Sequence, residues 1–413
     1  MINWSRRAFV RTLGLGGAAT AVPHLAAARG REAFGREALS PEALNTAALP
    51  GLPAGAAQST ATVQLNSNEN PNGPGLQALN AIRSALPLAN RYPYGEAGTL
   101  TAAIARLHGV QPSQVIIGCG SGEILRMAMQ AFTSRTRYLV TAAPTFETPG
   151  EYADTFGVPI HAVRVGADLK LNLATMELEA RGAGLVYVCN PNNPTATVLS
   201  ASAMSAFVER VDRASPPGVP SAAAALGAPP AAPPQTAVLV DEAYHEYVDD
   251  PSYKTSIPLA VAHRNVIVSR TCSKIHGLAG LRCGYAIAHA DTIARLARFK
   301  LENSVNQLAI AAARATLGDK ERVERERTIN RETRELTRRM FESMGCLVGP
   351  SETNFILVDL RRDSRLFRDG CRRAGVVVGR PFPPLTNHVR ISIGTMDEMQ
   401  RAGVTFKRVL DAL

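Results

Sequence analysis

From Gln114 onward, β-branched runs alternate with helical stretches over roughly 180 residues, a pattern that few architectures can accommodate. The runs are Gln114–Ile117, Arg137–Thr141, Pro159–Val165, the start of Leu185–Leu199, the part of Ala237–Tyr247 that stops at Asp241, and Val266–Ser269. Runs of this kind that stay apolar on both sides belong to parallel strands covered by helices on both faces. The expected fold class is therefore α/β with a mostly parallel sheet. In such sheets ligands sit at the carboxyl ends of the strands. Lys274, Asp241, Asn193 and the turn around Ser121 all fall at such ends.

These residues have chemistry in common. Lys274 follows a strand, with Thr271 and Ser273 before it and Arg282 after it. A lone lysine is usually a solvated surface charge. In an apolar, glycine-containing loop, however, an amine loses its proton readily and can form a Schiff base with an aldehyde. Two hydroxyls and a guanidinium nearby would hold a phosphate ester. A Schiff-base lysine with phosphate-holding groups and an acidic partner suggests pyridoxal 5'-phosphate.

The turn GCGSGEIL, Gly118 to Leu125, lies between a strand and a helix expected over Glu123–Phe132. Its free amides and the helix dipole would favour a phosphate at Ser121 and Gly122; such a turn can also serve only to reverse the chain. Phe146 is either core packing or a ring that stacks on a planar ligand. Asp241 is either a cap or a functional carboxylate, and Tyr244 can reach the same pocket. Asn193 precedes Pro194, which restricts its backbone at a strand end.

The N-terminus has a different character. SRRAFVR, Ser5 to Arg11, precedes an uncharged Gly/Ala-rich stretch that ends in small residues, the layout of a secretory signal of twin-arginine type over residues 1–28. Pro23 and His24 interrupt the stretch and argue against a membrane anchor. Residues 29–60 read as a flexible lead-in. The tract Ala214–Thr236 is rich in proline and alanine and reads as a surface insertion.

The net charge of +10 is scattered. Its densest run, Asp319–Arg339, reads as a solvated helix with i,i+4 pairs, so no nucleic-acid partner is expected. The six cysteines form no C-x-x-C pair, and neither disulfides nor a metal site are expected.

The motifs LNSNENPNGP, RYPYG, GCGSGEI, CNPNNPT, VDEAY, SKIHGLAGLRCGY and VRISIGT, in this order, resemble those of fold-type I aminotransferases of class I/II, specifically the histidinol-phosphate aminotransferase group. The resemblance covers about residues 63–412. It implies a large cofactor domain over 91–290 with a seven-stranded type of sheet, and a smaller α+β domain from 61–90 and 291–413.

It also implies Lys274 as the Schiff-base lysine, Asp241 at the pyridine nitrogen, and Tyr244 and Asn193 at the ring hydroxyl. Phe146 takes the place of the stacking aromatic, and Ser121, Gly122, Thr271, Ser273 and Arg282 that of the phosphate ligands. Tyr92 would reach the phosphate of a partner subunit, which implies a homodimer with shared sites. Arg390 and Asn70 would bind substrate, Arg390 through the α-carboxylate. Ala196 departs from the family's glycine, and a small adjustment of the turn is expected there.

Direct alignment puts Gly379 where the histidine-pathway enzymes have a phosphate-binding arginine, with Arg380 one residue later. Alternation along a strand would turn Arg380 away unless a bulge intervenes. The function expected is amino-group transfer between an amino acid and a 2-oxo acid, not on histidinol phosphate. A decarboxylase, lyase or racemase on the same fold, or a silent exported binding protein, remains the alternative.

Overall fold

The computed structural model describes residues 62–214 and 235–413. The signal segment, the lead-in and all but the edges of the Pro/Ala tract lie outside the described residues. The strands are β1 (Val63–Leu65), β2 (Val115–Gly118), β3 (Leu139–Ala143), β4 (Ile160–Arg164), β5 (Leu185–Cys189) and β6 (Ala237–Asp241). They continue with β7 (Val266–Thr271), β8 (Gly284–Ala288), β9 (Leu347–Val348), β10 (Phe355–Asp359), β11 (Val376–Val378) and β12 (His388–Ser392).

The helices begin with α1 (Leu76–Ala85), α2 (Glu96–His108), α3 (Gly120–Phe132), α4 (Thr148–Phe156), α5 (Leu173–Glu179) and α6 (Ala201–Ala214). After these come α7 (Ile257–Ala262), α8 (Ala290–Ala297), α9 (Gln307–Leu317), α10 (Lys320–Ser343), α11 (Ser364–Arg373) and α12 (Met396–Asp411).

Seven strands form one sheet in the order β2-β8-β7-β6-β5-β3-β4, and β8 is antiparallel to both of its neighbours. The other contacts in it are parallel. Every residue of β5 and β6 is buried, because helices cover both faces. Val238 and Val240 enter one core, while Ala237 and Leu239 enter the other. The two-residue pleat therefore puts Asp241 on the Leu239 face, the side packed by Ile124 and Met127 of α3. Cys189, Asp241 and Ser269 stand in register across β5, β6 and β7, so the ends of three strands deliver their chemistry to one row.

A three-stranded antiparallel sheet, β12-β10-β9, and a parallel pair, β1-β11, make a second set. Their core holds Phe341, Phe367 and Phe406. This set carries Arg390 on β12 and the loop after β1.

The structure departs from the sequence reading at three places. α3 starts at Gly120, not Glu123, so Ser121 and Gly122 belong to its first turn. The stretch from Asp291 to Met344, whose sequence pattern reads as helical and long, is divided into three helices, with a positive φ at Asn303 in a break.

Finally, α10 is not solvated all round. Arg322, Glu326, Asn330, Thr333, Thr337 and Phe341 form a buried stripe at three- and four-residue spacing. On the outer side Glu335 still pairs with Arg338 at 2.7 Å and Arg339 at 3.8 Å.

The buried stripe has a task. Glu326 pairs with Arg322 at 3.3 Å and accepts from the side-chain amides of Asn70 (3.2 Å) and Asn72 (2.8 Å), while Arg322 donates to Gly73 O at 2.5 Å. These bonds anchor the loop after β1 to α10. Breaking a buried pair by removing one partner costs about 3–5 kcal/mol, because the remaining charge stays desolvated. Glu326→Ala should therefore lower unfolding stability by that order in a denaturant melt, and Glu326→Gln should lose clearly less.

Candidate active site

Asp241 is 2% exposed at the end of β6. Its Oδ2 accepts the Tyr187 hydroxyl at 2.9 Å, while Oδ1 has no partner. Burial raises its carboxyl pKa to about 6, against the opposing effects of the Tyr187 bond and of the nearby Ser269 hydroxyl, which is not close or aligned enough to satisfy Oδ1. A buried acceptor left open calls for a donor, and a cationic N–H would also hold the carboxylate ionised.

Lys274 stands beyond the end of β7, its Nζ donating to Ser67 O at 3.1 Å and lying 5.7 Å from the centre of the Tyr244 ring. Burial, helped by the nearby Arg390 guanidinium, lowers its pKa to about 8. The amine therefore loses its proton within reach of physiological pH.

Next to Lys274 lies an anion cup. Thr271 Oγ1 donates to Ser273 Oγ at 2.9 Å, and Arg282 Nη1 approaches the same oxygen at 3.3 Å. The first turn of α3 closes the cup with its amides. Glu123 fastens that turn, its carboxylate accepting from Cys119 N at 2.6 Å and from Leu301 N at 2.9 Å. Both Glu123 oxygens are thereby occupied by backbone amides. Gly284 on β8 lies so close beneath that a Cβ there would sit 2.4 Å from Ser121 N.

At the other end Arg390, 8% exposed, donates from Nη1 to Asn193 Oδ1 at 2.7 Å and from Nη2 to Asn66 O, while Nε has no partner. Burial lowers its pKa to about 10. The Tyr244 hydroxyl accepts from Asn68 Nδ2 at 3.0 Å, so its own proton remains to donate. Asn68 is held in turn by Ser392 Oγ, at 2.9 Å from its amide and 2.7 Å from its Oδ1.

Ser121, Gly122, Phe146, Asn193, Asp241, Tyr244, Thr271, Ser273, Lys274, Arg282 and Arg390 all line one cavity of about 900 Å³. Two expectations need correction. Asn70 does not join it: its amide is occupied by Ile275 O at 2.8 Å and by Glu326, and the side chain serves the loop anchor.

Arg380 is not turned away but lines the cavity. β11 ends at Val378, so strand alternation no longer governs position 380. A Cβ on Gly379 would meet Arg390 O at 2.6 Å, which accounts for the glycine there. Tyr92 lies outside the cavity and is 70% exposed.

Sequence reasoning missed Tyr187, Asn68 and Glu147. Tyr187 left a signal, a hydroxyl inside the otherwise apolar run Leu185–Cys189. Glu147 and Asn68 left none, being polar residues in loops.

The cavity fits pyridoxal phosphate on three counts: the open Asp241 Oδ1, the low-pKa lysine, and a hydroxyl-, guanidinium- and amide-lined cup where a glycine is required. Capture of the aldehyde by protein freed of it should accelerate as pH rises through about 8, since only the neutral amine attacks; an ordinary lysine would shift this rise to about 10.4. Gly284→Ala should weaken cofactor retention at least about tenfold by displacing the Ser121 turn, about 1.4 kcal/mol. Absorbance titration reads both.

The profile of the family "Aminotransferase class I and II" matches residues 60–216 and 233–404. A histidinol-phosphate aminotransferase of Symbiobacterium thermophilum is 35% identical over 351 residues, 84% of this chain and 90% of that one. A putative histidinol-phosphate aminotransferase from Erwinia carotovora atroseptica superposes with a TM-score of 0.76 at 30% identity, covering 84% of this chain and 95% of that one. The Sinorhizobium meliloti histidinol-phosphate aminotransferase, solved with pyridoxal-5'-phosphate, gives 0.76 at 26% identity over 85% and 91%. Sequence, fold and cavity agree: the chain belongs to the class I and II aminotransferases and is a pyridoxal-phosphate-dependent enzyme of fold type I.

Proposed function

We propose that the enzyme moves an amino group between an amino acid and a 2-oxo acid, with Lys274, Asp241 and Tyr244 as its working groups. The observation that carries this reading is the buried Asp241, one oxygen held by Tyr187 and the other open, in the same cavity as Lys274. Bound pyridoxal phosphate supplies the electron sink for the charge that develops at the substrate's α-carbon.

Each residue has a task around it. Asp241 Oδ1 would face the ring nitrogen and favour its protonated form. Thr271, Ser273, Arg282 and the amides of Ser121 and Gly122 would hold the phosphate ester, and Phe146 would cover a ring face. Tyr244 and Asn193 would hydrogen-bond the ring hydroxyl. Lys274 Nζ would hold the aldehyde and, as a free amine, would serve as the base that takes the substrate's α-proton. Arg390 receives the substrate's α-carboxylate as a fork.

The curated relatives are named for histidinol phosphate. We read this chain as acting on an unphosphorylated substrate instead, because Arg380 at the far end of the cavity is already paired with Glu147.

Two further readings rest on the sequence. Tyr92 reaches the phosphate cup of a second copy, so the working form is a homodimer. Residues 1–28 direct export by the twin-arginine route, which carries folded, cofactor-loaded protein.

Lys274→Ala should abolish turnover while the protein stays folded by circular dichroism. Asp241→Ala should slow it by orders of magnitude; a rate within a few-fold of the parent removes Asp241 from its role. Replacing Arg6 and Arg7 with lysines should retain active enzyme inside the cell, and undiminished export of that variant refutes the signal reading.

A further inference from the structure

The far end of the cavity has a charge pattern that amino-group transfer as such does not require. Glu147 follows Phe146 at the start of α4 without capping it, and its carboxylate meets the guanidinium of Arg380 at the cavity. Arg380 also donates to Pro381 O at 3.1 Å and lies 4.3 Å from the centre of the Phe382 ring. Arg390 lies 5.1 Å from the centre of that same ring. One aromatic ring thus spaces the two guanidiniums, the inner one open at Nε and the outer one taken by a carboxylate of this chain.

The remaining charges at the rim are acidic. Glu69 and Glu151 line the same cavity, and neither is in an ion pair among the described residues. On the reading above, Lys274, Arg282 and Arg390 serve the aldehyde, the phosphate ester and the α-carboxylate. Of the cavity's other charged side chains, Glu69, Glu147 and Glu151 then stand against Arg380 alone, with Glu69 also acting on Lys274.

An anionic side chain must displace Glu147 from Arg380 before it can pair there, in a cavity that holds two further glutamates. A cationic side chain can meet the second Glu147 oxygen while Oε1 keeps Arg380. The Glu147–Arg380 pair has little other reason to exist: its side chains are 40% and 50% exposed, and pairs that exposed contribute roughly 0–1 kcal/mol to stability. Complementarity of this kind works chiefly through discrimination, since juxtaposed like charges disfavour the wrong partner.

We propose that Glu147 is the specificity-determining residue of this enzyme: it occupies Arg380, closes the distal subsite to dicarboxylates and phosphate esters, and selects amino acids whose side chain ends in a cation. The proposal rests on the aminotransferase reading and names the substrate class of that same cavity.

The test uses the dimer-competent, cofactor-loaded full chain. Single-turnover discharge of the cofactor absorbance gives kcat/KM for ornithine, lysine and arginine, for leucine, for glutamate and for histidinol phosphate, in the parent and in Glu147→Gln. Binding of glutarate, a dicarboxylate with no amine to transfer, is measured by calorimetry in both. We expect the parent to favour the cationic amino acids over glutamate and histidinol phosphate at least about tenfold, and Glu147→Gln to reduce or invert that ratio by about tenfold, with glutarate bound tighter by a similar factor. A parent that prefers glutamate or histidinol phosphate overturns the proposal, as do unchanged ratios and unchanged glutarate affinity in Glu147→Gln. If no amino acid of any class discharges the cofactor, the aminotransferase reading itself fails and this inference falls with it; discharge by glutamate but not by the cationic amino acids removes this inference alone.

Discussion

A carboxylate buried with one oxygen unanswered is costly in a folded protein, and Asp241 is such a group. Its position follows from the pleat of β6, its burial from the two cores on either side of the sheet, and its second oxygen from Tyr187 on the neighbouring strand. The rest of the cavity is arranged about this point. The register that aligns Cys189, Asp241 and Ser269 also brings the loops after β5 and β7 to the same height. Lys274 and Asn193 then need only short excursions from strand ends to face the same volume. Perturbed titration and an open acceptor in one cavity mark a site prepared for a partner.

The preparation has a mechanical side. The cup for the phosphate belongs to the large sheet, whereas Arg390 and the loop carrying Asn66 to Glu69 belong to the smaller sheets. Their mutual placement joins an apolar contact, Phe355 edge-on to Tyr244 in a small cluster with Ile275, to polar contacts: Asn68 with Tyr244, Arg390 with Asn193, and Arg322 and Glu326 with the loop at Asn70 to Gly73. Apolar packing alone has no strong directional preference, whereas these bonds fix orientation as well as distance. The loop after β1 is thus oriented by a helix more than two hundred residues later in the chain.

How far the sequence disclosed this can be traced residue by residue. Lys274, Asp241 and Asn193 were legible because each is a polar group ending a run that is otherwise buried, and the α/β class followed from the same runs. β8 was not read as a strand, since its glycine start and short length look like loop until the partner β7 is known. Arg322 and Glu326 read as surface charges because period alone does not say which side of a charged helix is covered. Arg380 was misplaced because strand alternation was applied past the end of β11 at Val378. Asn70 was carried over from a motif, and the motif does not say which of its several asparagines faces inward. In each of these cases the missing information was a long-range contact, which no local pattern contains.

The close approach of Gly379 to Arg390 bears on how this cavity can diverge. Because main chain fills the space that a side chain at position 379 would need, the arginine of the distal subsite cannot simply be moved back by one position through exchange of two residues. Any such relocation has to move the main chain between β11 and β12 as well, so backbone and side chain at this corner of the cavity can change only together.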